Sequence, residues 1–275
     1  MKRASRIYGP FIVIFMFVAC AAVRAQTPVA LINPVSVQPE LPADAKVDQV
    51  LDALDVRGKT MKEFTAKVSL TEGDINFGDL KTSIGRVWFQ KKGDDDGRIR
   101  VTFDKRKVGE YFRDEKVEYL LDNGLLIDRN YKKTNEDRRQ VIKPGEKINL
   151  LKLGEGPFPL PIGQDKADVH REFDVQLIAP TRDEDKDLTG TIHLRLTPKP
   201  GTRFARRFSA IDIWVDRTTR FPAQIVTVAP DQSDQKTTKF TDVQINPAGG
   251  LKDSDFTLPP IDEKTWGIHT EKFHD

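Results

Sequence analysis

The sequence predicts a mainly β fold: one domain built on an antiparallel sheet of roughly nine to eleven short strands, with one long helix and a few short ones. Three observations lead there. Residues 209–216, 221–228 and 237–245 alternate apolar and polar side chains, and the polar turns Arg217-Thr218-Thr219-Arg220 and Pro230-Asp231-Gln232-Ser233-Asp234 separate them. Short alternating runs broken by turn formers make a meander. Asp122-Asn123-Gly124 lies between two apolar runs, and Asn-Gly there is the strongest short-range hairpin signal. Val47, Val50, Leu51 and Leu54 recur at i, i+3, i+4 and i+7, which places one apolar stripe on one helix. Such a sheet has an apolar face that must be buried, and what covers that face is the functional question.

The amino end is read as lying outside this fold. Residues 1–25 form an expected signal peptide. Lys2, Arg3 and Arg6 make its basic region, residues 11–18 its apolar run, and Val23-Arg24-Ala25 its cleavage site. The run is shorter than the about 20 residues that a membrane helix needs. Cys20, the only cysteine, falls inside it. Phe17-Val18-Ala19-Cys20 loosely resembles a bacterial lipobox, but Phe17 stands where Leu is usual, so lipid anchoring at Cys20 is the weaker reading. Cleavage after Ala25 leaves no cysteine and therefore no disulfide. It also removes Lys2, Arg3, Arg6 and Arg24, which leaves 40 of the 44 basic residues against 42 acidic ones. That near-neutral balance gives no reason to expect nucleic acid.

Residues 26–43, with Pro28, Pro34, Pro39 and Pro42, read as an extended tether, and the domain is expected over 44–262. Asp44 is the expected N-cap of the helix and Arg57-Gly58 its stop. Phe64, Ala66, Val68 and Leu70 then alternate with polar residues as a half-buried strand. Residues 84–90 and 98–104 pair around the turn Gly93-Asp94-Asp95-Asp96-Gly97, followed by strands at 117–121 and 125–131. Residues 135–168 are charged and rich in Pro and Gly, with short helices expected at 147–153 and 166–173. Between these helices, Gly156-Pro157-Phe158-Pro159-Leu160-Pro161-Ile162 is apolar, yet its prolines bar it from a central strand. It reads as a loop covering the core or as a lid over a pocket. Strands resume at 173–178 and 188–197, one helical turn at 201–207 leads into the meander, and 263–275 is a tail expected to fray.

Chemistry-bearing patterns are missing. Gly-x-Ser-x-Gly, Gly-x-Gly-x-x-Gly and phosphate-loop motifs do not occur. His170, His193, His269 and His274 share no metal-binding spacing within one element, and Asp94-Asp95-Asp96 lacks the spaced ligands and distal Glu of a calcium loop. Residues 182–187 read as a solvated loop, and Arg203, Arg206 and Arg207 as a small basic patch facing water. Nothing selects a catalytic pair among the many carboxylates. The residues make an enzyme the weaker class and select no metal site.

The order of elements carries a resemblance. The helix with Val47, Val50, Leu51 and Leu54 is followed by the strand 64–70 and by Gly85-Arg86-Val87-Trp88-Phe89 with Arg98-Ile99-Arg100-Val101. The closing part is Ile211-Asp212-Ile213-Trp214-Val215-Asp216, Phe221-Pro222, Lys239-Phe240-Thr241-Asp242-Val243-Gln244-Ile245-Asn246 and Phe256-Thr257-Leu258-Pro259-Pro260. Together these resemble the LolA family of periplasmic outer-membrane lipoprotein carriers and its LolB and RseB-like relatives, over residues 47–260.

The resemblance implies a single-domain incomplete antiparallel β-barrel, closed by the long N-terminal helix and short helices over an apolar cavity. It implies a periplasmic, non-enzymatic, monomeric protein that holds no cofactor and binds lipoprotein acyl chains or another lipid for sorting to the outer membrane, with donor and acceptor proteins in the two membranes. The alternative is an RseB-like envelope sensor or scaffold that binds a membrane protein partner. Two departures stand out. Lys91-Lys92 occupies the place of the carriers' Arg-Pro pair, so that pair's closing role is not transferred to Lys91, and the Pro-rich insertion at 154–163 is more elaborate. Strand alternation then gives the candidate lipid-binding residues: Val87, Phe89, Ile99, Val101, Phe103, Ile211, Ile213 and Val215 on the sheet, with Phe158 and Leu160 on the lid. For each of them the alternative is plain core packing.

Overall fold

The computed structural model describes residues 39–74, 76–93, 96–143, 145–147, 150–151, 162–180 and 187–273. The signal peptide, Cys20, most of the tether, Asp94, Asp95, residues 148–149 and 152–153 of the expected helix at 147–153, Phe158, Leu160 and His274 lie outside the described residues.

Helix α1 (Val47–Thr60) precedes six strands: β1 (Glu63–Asp74), β2 (Asp79–Gly93), β3 (Asp96–Val108), β4 (Tyr111–Asp122), β5 (Leu125–Asn130) and β6 (Asn135–Gln140). Helix α2 (Lys166–Glu172) leads to β7 (Phe173–Ile178), β8 (Thr191–Pro198), β9 (Ala210–Asp216), β10 (Pro222–Val228) and β11 (Asp234–Ile245), and β12 (Gly267–Glu271) closes the chain. All twelve strands form one sheet in the order β12-β6-β5-β4-β3-β2-β1-β11-β10-β9-β8-β7. The edge strands β12 and β7 stand at opposite ends of that order, so the sheet curls without closing and the barrel is incomplete.

The two halves meet where β1 pairs antiparallel with β11, from Phe64 opposite Ile245 to Asp74 opposite Asp234. Curvature comes from register shifts, at Thr65/Lys67, Ile84/Gly85, Phe103/Lys105 and Pro222/Gln224. Gly85 explains one of them. A Cβ there would lie 1.7 Å from the carbonyl oxygen of Thr102, so only glycine lets β2 press onto β3 at the bend.

The concave face is the core. Phe64 is fully buried, with ring centroids 5.5 Å from Phe89 and 4.9 Å from Phe221, and Phe221 meets Phe240 edge-on at 5.5 Å. Val50, Leu51 and Leu54 of α1 are buried in the same cluster, as their spacing predicts. Asp44 is not the N-cap: the helix starts at Val47, and Gln49 Oε1 accepts a 2.8 Å bond from the Lys46 N–H. Nor does Gly58 stop it. The helix continues to Thr60, because Gly58 is where its backbone touches Gly163, and a Cβ would lie 2.2 Å from Gly163 Cα. Lys91 Nζ donates to the Gly58 carbonyl, so a cation on β2 satisfies a group in the last turn of α1.

The charged segment at 135–140 forms β6, and residues of the expected fraying tail add β12, which runs parallel to β6. Ahead of β12 the chain straps the convex face. Arg98 reaches Asp253 at 2.6 Å, Arg100 donates to the Asp255 carbonyl, Arg129 donates to the Pro259 carbonyl at 2.6 Å, and Trp266 meets Tyr131 edge-on. Beneath lie two buried charged groups, Glu118 with Arg100 and Tyr131, and Glu136 between Arg129 and Arg138. Against the upward push of burial, hydrogen bonds from Tyr131 and Arg100 hold the Glu118 carboxyl below its ordinary range.

Candidate functional site

Alternation and register decide what the concave face presents. One cross-strand row runs Phe64, Phe89, Ile99, Leu121, Leu126, and the next runs Ala66, Val87, Val101, Tyr119, Asp128, Asp137. A third runs Val68, Gly85, Phe103, Val117, Asn130, Asn135. The face therefore grades from aliphatic and aromatic side chains on β1–β3 to polar ones on β5 and β6. On the other half, Leu194 of β8, Ile213 of β9 and Ile225 of β10 form one buried row, and Leu196 and Ile211 belong to the next.

All eight candidates on the sheet point the same way. Val87, Phe89, Ile99, Val101, Phe103, Ile211, Ile213 and Val215 are buried in one cluster together with α1, Leu150, Leu151 and Ile162. Among the described residues the face is covered by α1 and by Leu150, Leu151 and Ile162, not by a second sheet. Ile162 N–H bonds back to the Leu151 carbonyl and Gly163 N–H to the Leu54 carbonyl. The segment expected as loop or lid is thus anchored to the end of α1 on its C-terminal side, while Phe158 and Leu160 fall outside the described residues.

Sequence reasoning missed the polar end of the same face. A recess of about 270 Å³ opens there. Leu70, Phe103 and Val117 form its apolar wall, and Tyr119, Asp128, Asn130, Lys133, Asn135 and Asp137 its polar wall on β4–β6. Arg106 Nη1 pairs with Glu115 at 2.8 Å inside it. Burial, with the charges of Asp128 and Glu72, pushes the Tyr119 hydroxyl up to about 12. Burial likewise raises the Asp128 carboxyl; Arg139 draws it down, and Asp137, directly opposite on β6, pushes it further up. The available signal was the alternation Leu126-x-Asp128-x-Asn130, but only the pairing of β5 with β4 shows that it extends the apolar row.

A second polar group lies on the convex side of β8 and β9. His193 Nε2 is 2.8 Å from Asp212 Oδ1, Arg195 grips both Asp212 oxygens at 2.8 and 3.0 Å, and Trp214 stacks on the His193 ring at 3.9 Å. Burial pushes the Asp212 carboxyl up, and the bonds from His193 and Arg195 outweigh it and hold it below the ordinary range. Among the described residues no group of three or more His, Cys, Asp or Glu is placed to hold a metal ion, and no helix is long and apolar enough to cross a membrane.

No family model matches the chain, and no curated protein matches it. Solved structures of similar arrangement do exist. They include an uncharacterized conserved protein from Thermus thermophilus, with 12% identity over 81% of this chain and 97% of that one, at a TM-score of 0.44. They include MucB in complex with MucA from Pseudomonas aeruginosa, with 14% identity over 78% of this chain and 62% of that one, at a TM-score of 0.42. A LolA superfamily protein from Nitrosomonas europaea shares 13% identity over 78% of this chain and 99% of that one, at a TM-score of 0.29. The incomplete barrel is established by this chain's own strand order.

Proposed function

We propose that this chain is a non-enzymatic binding protein of the periplasm that takes the acyl chains of lipoproteins between α1 and the concave face of its sheet, for sorting to the outer membrane. The observation that carries the reading is the cover. A curled sheet whose face is apolar on β1–β3 and on β8–β10 is covered by one amphipathic helix together with Leu150, Leu151 and Ile162, and that helix is seated through the Gly58–Gly163 contact and the Lys91 bond. A helix seated at a few points can lift and admit an apolar chain, which a second sheet interdigitating across the whole face would resist. Val87, Val101, Phe103, Ile211 and Ile213 are the proposed wall, with Phe158 and Leu160 proposed on the lid. A photoreactive fatty acid supplies the test. Cross-links on β2, β3 and β9 support the reading, whereas labelling confined to the convex face or no specific labelling rejects it.

A second reading has its own observation. Phe77, Leu80, Tyr111 and Phe112 are 86%, 42%, 75% and 59% exposed, and they sit where the neighbouring β1–β2 and β3–β4 hairpins end. An exposed apolar patch of this kind marks a contact surface. It fits an envelope sensor or scaffold that docks a membrane protein. A photo-cross-linker at position 77 that captures one stoichiometric protein in the cell envelope would favour this reading.

A further inference from the structure

The recess at the polar end of the concave face has a wall that the acyl-binding reading does not use. Two of its atoms are shut off from solvent without a hydrogen-bond partner: Arg106 Nε, a donor, and Asn135 Oδ1, an acceptor. They are opposite in type, and both residues line one recess of about 270 Å³. Buried polar groups are normally satisfied, so a donor and an acceptor left open in one cavity call for a ligand that offers both. The charges agree. Glu115 is matched by Arg106 at 2.8 Å and Glu72 by Lys236 at 3.6 Å, while Asp128 and Asp137 face each other across β5 and β6 as like charges. Directly opposed like charges destabilise a sheet, and a cation between them removes that cost. The apolar part of the wall is Leu70, Phe103 and Val117; Phe103 belongs to the core, and Leu70 packs against it.

We propose that this recess is a head-group subsite for a zwitterionic amphiphile. The anionic part of the head accepts from the Arg106 guanidinium and Lys133, the ammonium part donates to Asp128, Asp137 and the Asn135 side chain, and the attached chain leaves along Leu70 and Phe103 toward the apolar rows. This rests on the acyl-binding reading and adds the class of head group to it. Mixed charge on the ligand matters because each charged half alone leaves the opposite protein group unmatched.

The test compares three probes of equal chain length on the exported protein: lysophosphatidylethanolamine, lysophosphatidylglycerol and an alkylamine. The zwitterion is expected to bind at least about tenfold more tightly than either single-charge probe, as one or two charge-assisted bonds supply. Arg106→Gln should cut the zwitterion to the level of the alkylamine, and Asp128→Asn with Asp137→Asn should cut it to the level of the glycerol lipid. Equal affinity for all three probes, unchanged by these substitutions, overturns the subsite and leaves acyl binding standing. Failure of all three to bind overturns both. Circular dichroism of each variant separates loss of the subsite from loss of the fold. A variant that unfolds is replaced by Asn135→Asp, which keeps an acceptor, adds a negative charge and should favour the alkylamine.

Discussion

Replacing Gly58 by alanine adds one methyl group on the side of α1 that faces residues 162–163. On an exposed helix the change would stabilise by about 1 kcal/mol, since glycine costs that much against alanine in a helix interior. Here the new carbon would lie 2.2 Å from Gly163 Cα and 2.4 Å from Gly163 N, both backbone atoms. Ordinary carbon contacts are about 3.5 Å or longer, so α1 or the opposing strand of chain must shift by more than about 1 Å. Gly163 has little freedom to give way. Its φ of +77° is a glycine conformation, and its N–H is held by the Leu54 carbonyl at 3.3 Å. Overpacking costs about 1–3 kcal/mol, and a clash with backbone belongs at the upper end. The net effect is a loss of about 1–2 kcal/mol, or roughly 2–8 °C in melting temperature for a domain of this size. Urea unfolding followed by circular dichroism measures it, with Val56→Ala, on the exposed side of the same helix, as the control. A Gly58→Ala protein as stable as the parent, or more so, refutes the docking of α1 at Gly163.

Other consequences are as direct. Glu136→Leu leaves Arg129 buried and Arg138 half-buried without their carboxylate and should destabilise by about 3–5 kcal/mol, read as a shift in urea midpoint. Glu118 and Asp212 have folded pKa values below their unfolded ones, so their contribution is full above about pH 4.5 and fades as pH falls toward those depressed values; urea midpoints from pH 7 to pH 3 should fall most steeply below pH 4.5. Asp128 has the opposite sign, so Asp128→Asn should raise stability at pH 7 by about 0.5 kcal/mol and change little at pH 3. Deleting residues 262–273 removes Trp266 from Tyr131 and β12 from β6, and should lower the melting temperature and change near-ultraviolet dichroism from the tyrosine.

The fold was largely legible because its elements obey local periodicity. The stripe Val47, Val50, Leu51, Leu54 and the alternation from Phe64 to Leu70 each name a buried face without knowledge of what it meets. What was not legible depends on contacts distant in sequence. Gly58 looks like a helix stop until Gly163 is placed against it, and Lys91 looks like a departure from a family pattern until its ammonium is found on the Gly58 carbonyl. The strand 135–140 is almost wholly charged or polar. It is a strand because Glu136 is enclosed by Arg129 and Arg138 and the polar Asp137 faces the recess, and pairing reveals both facts where composition does not. The eight sheet candidates were readable as one face by alternation alone. The polar half of that face, with Tyr119, Asp128 and Asn135, needed the register from β3 through β6.

Whether the concave face takes an acyl chain is tested most directly by native mass spectrometry of the protein, purified from cells without detergent and measured before and after delipidation. Binding between α1 and the sheet predicts a discrete mass adduct of acyl-chain size that disappears on delipidation and returns when a lipoprotein or a long-chain lipid is added. It further predicts that Gly58→Ala, by displacing α1, alters how readily the adduct is regained. A protein that is bare as isolated, and stays bare in the presence of such lipids while fully folded, contradicts the account.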